Sequence, residues 1–489
     1  MTSLRTWAGV LIVLHCSMAL AFGPRTHEEV TRAAARGKLP EMSLSCPSES
    51  DLAAFVADLK RVLVEAAGDR RGELLAIWPD DSSQGLRDLL DMTLDPAKRI
   101  HGVDVVVCEK DPLALLALEA NSPDLDGRNT DRVAIGRDGR PLSGARGPIP
   151  ADPAVLDMGG MYGLASQAHA HYALTTQPTA NPMALFRDPE HFAVATAVEG
   201  GPLTFAPSMA RAHFLVALLA LGLDSPGADA IALGWLGGAI HYLQDAMTPL
   251  HTVQVGAPCV VFHGAKTFLW RALATQGGLL STLKSPVATV TDVVSNLHLW
   301  TEALWDASDI GACIGPDLET GPLGLDEVLD FLSSTSARHL GPLTYATACK
   351  AATPEVVDAQ VVLEDGAIAG ERHIADPEAA MGLLKIGCDA TLAASRATAL
   401  VVASFVSLAE WAKTPEGRAA IAGRLVRERL DAVAARQARL AAWMEGHRDG
   451  VPLWAGEVRS PIVIALELLV IAACFLLFRR FRRRGGRAG

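Results

Sequence analysis

GWLGGAIHYLQDAMTPLHT, residues 234–252, is the stretch on which the reading of this chain turns. Its frame is Ala, Ile, Leu, Trp and Gly, a buried helix by composition. Into that frame it sets His241 and Asp245. His241 and Asp245 stand four residues apart, so a helix places them on one face about one turn from each other. Pro249 stops the helix, and His251 follows in the turn. Imidazole and carboxylate groups buried without compensation cost a few kcal/mol each, and a divalent cation supplies that compensation. A buried His–Asp pair without metal is the plainer alternative for an isolated HxxxD.

Outward from this helix the sequence stays helical in character. Half of the 489 residues are hydrophobic, a fifth are charged and only 5% are aromatic, with Ala and Leu dominant. That composition forms a packed core and favours helices over a β-sandwich. Strongly apolar helices are expected at 208–222 and 226–246. Amphipathic ones are expected at 26–36, 51–77, 86–93, 112–119, 263–275, 287–306 and 325–339, and long ones at 376–412 and 414–446. Thr26 and Glu29 have the spacing of a capping box. Residues 121–160 and 174–206, rich in Gly, Pro and Asp, read as loops. No alternating strand pattern, internal repeat or GxGxxG loop stands out. The fold class expected is all-α.

The ends read as addresses. Residues 1–21 have the form of a secretory signal peptide, with Arg5, an apolar stretch from Ala8 to Leu14 and Ala19-Leu20-Ala21 as cleavage site. Residues 461–478 form an apolar run that, as a helix, spans about 27 Å, enough for a bilayer core. Arg479, Arg480, Arg482, Arg483, Arg484 and Arg487 follow, and the positive-inside rule puts them in the cytoplasm. The expected organisation is therefore a leader at 1–21, a main domain at 22–340, a helical extension at 341–456, a single transmembrane helix at 461–478 and an Arg-rich tail at 479–489. The body would be exported and membrane-anchored on the extracytoplasmic side, or the helix later removed as a sorting signal. Six cysteines remain between the end segments: Cys46, Cys108, Cys259, Cys313, Cys349 and Cys388. An even number in an exported chain points to disulfides. The net charge is −12, and the terminal arginines leave the body more acidic still. An acidic body disfavours polyanionic nucleic acid as partner unless metal ions intervene.

HYLQDAMTPLH, residues 241–251, resembles the HYLxDxxxPxH signature of the zinc-dependent phospholipases C and their relatives, the fungal single-strand nucleases. The resemblance is taken to cover residues 22–306, while residues 340–489 match nothing in that family. It implies an all-helical fold with three zinc ions in a cleft. Carried over residue by residue, it makes Phe22 a ligand through the amine and carbonyl of a new N-terminus, in FGPRTH, and His27 a ligand five residues later. Phe22 stands where the family usually has Trp. In the loop NSPDLDG the ligand and candidate general base is Asp124, with Asp126 the alternative. Before the central helices it is His171, followed by Tyr172, with His169 nearby. After them it is the His298–Glu302 pair in NLHLWTEALW, with His263 the rival. The resemblance then groups Asp124, His171, His241 and Asp245 on one zinc, and Phe22, His27 and a shared Asp245 on the second. His251, His298 and Glu302 fall on the third, which keeps open positions.

The expected activity is hydrolysis of a phosphodiester, phospholipid head groups first, by zinc-activated water with no covalent nucleophile. A single-strand nuclease is the second reading, favoured by the start FGPRTH. A zinc-stabilised, membrane-anchored scaffold without catalysis is the third.

Overall fold

The computed structural model describes residues 24–90, 109–121, 206–252, 297–353 and 373–446, apart from short gaps within these ranges. The signal peptide, transmembrane and Arg-tail expectations lie outside the described residues.

The described residues are almost wholly helical, with an isolated antiparallel bridge between Ala352 and Ile374 in place of any strand among them. In chain order the helices are α1 (Pro24–Ala35), α2 (Glu49–Ala66), α3 (Arg71–Ile77), α4 (Pro112–Glu119), α5 (Ala206–Leu221), α6 (Ala228–Met247), α7 (Leu325–Ser334), α8 (Gly341–Ala351), α9 (Pro377–Lys413) and α10 (Pro415–Gly446). Short 3₁₀ turns occupy Gly68–Arg70, Pro249–Thr252 and Ile310–Cys313. A further helical stretch carries Leu297, Trp300, Thr301, Glu302, Leu304 and Trp305.

The local chemistry explains several boundaries. α2 starts with a capping box in which Ser48 and Asp51 satisfy each other's backbone N–H. α4 has Asp111 as N-cap and Pro112 in its first turn. α6 ends because a residue before proline is pushed out of the helical region. Thr248, before Pro249, is extended with ψ 120°.

Three expectations are corrected. The helix read over 51–77 is broken at Gly68, whose φ of 53° only glycine adopts without strain. Thr26 lies inside α1, which begins at Pro24, so it does not cap that helix. The helix read over 325–339 stops at Ser334, and α8 follows as a separate element.

Two large hydrophobic cores organise the described residues. The larger joins α2, α4, α5, α6, the later half of α9 and α10, around Trp78, Phe214, Trp235 and Phe405. The second joins Val30 of α1, Leu250, Trp300 and Trp305, Tyr345 of α8 and the first half of α9. α6 lies at the centre: every residue from Ala230 to Ala246 is buried. α9 runs through both cores. It is long and apolar enough to cross a membrane, yet half of its most apolar stretch is buried within the protein. A disulfide between Cys313 and Cys388 ties the third 3₁₀ turn to α9, and Cys46 is also disulfide-bonded. Cys349 is a buried thiol in the second core.

Candidate metal centre

The C-terminal half of α6 and the turn after it place polar groups where the two cores meet. The helical rise sets His241 beneath Asp245, and their Nε2 and Oδ2 atoms lie 3.2 Å apart. The proline-terminated helix end then folds His251 back, so that its Nδ1 is 3.7 Å from Asp245 Oδ1. α1 brings His27 to the same carboxylate from the other side, with Nε2 also 3.7 Å from Oδ1. The rings of His27 and His241 stack with centroids 4.5 Å apart. Glu302 stands beyond His251, with Oε1 4.0 Å from Nε2. All five side chains are buried.

One glycine makes this possible. A Cβ on Gly237, one turn before His241, would meet Glu119 Cβ at 2.5 Å and the Glu119 carbonyl carbon at 2.7 Å. The C-terminus of α4 therefore lies directly on α6. That contact delivers the Ala120 carbonyl, which accepts a hydrogen bond from His241 Nδ1 at 2.8 Å. The bond fixes the ring with Nε2 turned to Asp245.

Burial sets the electrostatics. Desolvation, together with the neighbouring His241, holds His27 well below the usual imidazole range, against an upward pull from its hydrogen bond to Gln244. His27 is therefore neutral at physiological pH, the form that ligates metal. Burial pushes the Asp245 carboxyl well above its usual range. A carboxylate so placed gains most from a cation.

His27, His241 and Asp245 each offer a ligand atom, and these atoms all lie within 4.8 Å of one another. Ligands at about 2.0–2.1 Å from one tetrahedral zinc are separated by roughly 3.3–3.4 Å. His241 Nε2 to Asp245 Oδ2 and His27 Nε2 to Asp245 Oδ1, at 3.2 and 3.7 Å, lie near that value, each on its own carboxylate oxygen. Imidazoles with a carboxylate and no thiolate suit zinc rather than calcium or magnesium. The residues present fit the ion.

Of the expected ligands, the structure brings together His27, His241, Asp245, His251 and Glu302. Phe22, Asp124, His171 and His298 lie outside the described residues, as do the alternatives Asp126, His169 and His263. Sequence reasoning missed Gln244, which sits inside the motif and accepts from His27 Nδ1 at 2.6 Å. It also missed the Ala120 carbonyl. Gln244 was open to notice as an amide in an otherwise apolar helix, but a backbone carbonyl leaves no mark in a sequence. Compared with known families, characterised proteins and solved structures, the chain matches none.

Proposed function

We propose that the protein is a zinc-dependent phosphodiester hydrolase of the phospholipase C type. The observation that supports it is the convergence of His27, His241 and His251 on the single buried carboxylate of Asp245. These residues come from positions as far apart as 27 and 251, so chance helical spacing accounts for the His241–Asp245 pair alone.

His241 would belong to one ion and His27 to a second, with Asp245 shared between them, and His251 and Glu302 would belong to a third. Asp245 faces His241 with one oxygen and both His27 and His251 with the other, which suits a carboxylate shared between ions. Zinc, when bound, supplies neutralisation of phosphodiester charge and activation of water near neutral pH. The chain's own part is to hold the imidazoles in place, His27 among them in its neutral form, exclude bulk water by burial and keep the Asp245 carboxylate ready for a cation. Asp124 is proposed as the base that orients the attacking water. Glu302, the residue type of the phospholipase pattern, and the acidic body favour a phospholipid head group over a polynucleotide.

The test is metal analysis of the purified protein, followed by assays on phosphatidylcholine vesicles and single-stranded DNA. About three zinc ions per chain, head-group release, and its loss in His241→Ala are expected. Cleavage of DNA in place of lipid transfers the reading to the nuclease. A folded, zinc-loaded protein inert on both leaves a scaffold, and a folded protein that takes up no zinc ends the metal reading.

A further inference from the structure

We propose that Gln244 and Thr398 are positioning residues that set the ring tautomer of His27, which makes α9 a working part of the metal centre. The proposal rests on the metal reading above only for its affinity arm.

Gln244 is fully buried next to Asp245. Its Oε1 lies 2.6 Å from His27 Nδ1. Its Nε2 donates to Thr31 Oγ1 at 3.0 Å and to Thr398 Oγ1 at 3.3 Å. A side-chain amide can be turned either way round, and the two orientations give His27 opposite tautomers. The structure turns the amide oxygen to His27 and the amide nitrogen to two threonines. In the orientation described, both amide hydrogens meet threonine oxygens, and the amide oxygen accepts the Nδ1 hydrogen of His27. Turned over, the amide oxygen would accept from the threonine hydroxyls and the nitrogen would donate to His27 Nδ1, which would put the imidazole hydrogen on Nε2. The two threonines hold the amide in place, and the amide oxygen facing Nδ1 sets the imidazole. His27 then carries its hydrogen on Nδ1 and turns the electron pair of Nε2 toward Asp245.

His241 is arranged alike, but by a different device. Its Nδ1 donates to the Ala120 carbonyl, an acceptor that cannot be turned over. The glutamine needs anchoring where the carbonyl does not. Thr31 supplies one anchor from α1, the helix of His27 itself. Thr398 supplies the other from α9, in the part of the chain beyond residue 340 where the family resemblance offers no role.

Long-range ¹⁵N correlation spectra of histidine-labelled, metal-free protein read the tautomer directly, and competition titration with zinc reads the affinity. Wild type should show His27 protonated on Nδ1. Gln244→Leu should show mixed tautomers and bind zinc about 10- to 100-fold more weakly, the usual loss for a partner that orients a ligand. Gln244→Glu keeps an oxygen facing Nδ1 and should restore both, which separates positioning from a general packing defect. Thr398→Val, equal in shape, should weaken zinc binding and mix the tautomers while Gln244 stays. A wild-type His27 protonated on Nε2, or Gln244→Leu and Thr398→Val binding zinc as wild type does, overturns the proposal. Nδ1 protonation in a wild type that takes up no zinc upholds the positioning and sinks the metal reading alone.

Discussion

Asp245 is the residue on which burial and charge conflict most. Its raised proton affinity means that the metal-free fold holds a proton which the unfolded chain has released by about pH 4. Above that pH the metal-free protein loses stability as pH rises, up to the folded value. His27 acts in the opposite sense. Its folded value is depressed, so the unfolded chain takes up a proton near pH 6.5 that the fold refuses. Stability from this group is present above about pH 6.5 and is lost as pH falls below it. Zinc removes the first conflict and deepens the second, because a metal-bound His27 cannot take up a proton. In Asp245→Asn the metal-free protein should therefore lose the decline with rising pH between about 4 and neutrality, and it should no longer respond to zinc. Calorimetry with zinc or chelator from pH 5 to 8 checks this. At a hundredfold excess over the dissociation constant, zinc should stabilise wild type by about 2.7 kcal/mol. An equal gain in the Asn variant removes Asp245 from the site. Zinc must displace the proton that Asp245 holds, so its binding should weaken as pH falls, while His27, which resists protonation, adds little to that dependence.

At the scale of elements, the glycines of α6 matter for what lies against them. Alanine at Gly237 gains up to about 1 kcal/mol of helix propensity. It also places a methyl 2.5–2.9 Å from Glu119 and the Ala120 nitrogen, which are held by the α4 backbone. Overpacking of that kind costs roughly 1–3 kcal/mol, so the net sign is destabilising. The same movement displaces the carbonyl that orients His241, so Gly237→Ala should lower both melting temperature and zinc affinity. At Gly423 in α10, by contrast, an added methyl would meet nothing within 4 Å. There the propensity term stands alone, and Gly423→Ala should raise stability by about 0.5–1 kcal/mol with zinc binding unchanged. Chemical denaturation of the two variants side by side tests the contrast. Much of this level was legible in the sequence. α4, α5, α6, α9 and α10 are close to the ranges read from apolar runs, caps and prolines, because those signals are local. α8 was not legible. Its residues GPLTYATACKA have little amphipathic pattern, and its place is set by distant contacts such as Tyr345 against the Leu250 carbonyl. The site divides in the same way. His241, Asp245 and His251 declare themselves by spacing. The nearness of His27 was legible only through resemblance, and the role of Gln244 depends on α1 and α9 arriving together.

For the whole molecule, α9 decides where the fold can be cut. The family resemblance ends before residue 340, yet α9 packs on α1, α5, α6 and α8. Ala379, Leu383, Ala390 and Ala394 complete the core that covers Trp300 and Trp305, and Val401, Val402 and Phe405 enter the other core. Trp305 also donates its indole N–H to the Leu383 carbonyl at 3.1 Å. Gly387 lets the two helices meet, since a Cβ there would lie 2.6 Å from the Trp305 ring nitrogen. The Cys313–Cys388 disulfide fastens the same contact. A chain ending at residue 340 would uncover the partners of several Leu-sized side chains, at about 1.5–3 kcal/mol each. That sum is comparable with the roughly 5–15 kcal/mol by which a domain is ordinarily stable. Residues 22–340 alone should therefore lack a cooperative thermal transition and bind hydrophobic dye. Residues 22–446 should melt cooperatively and shift upward with zinc. The measurement is a thermal scan of both, with and without the metal. A sharp, zinc-responsive transition in the shorter chain would mean that α9 is an accessory, and that the apolar helix is available for another task, including a bilayer.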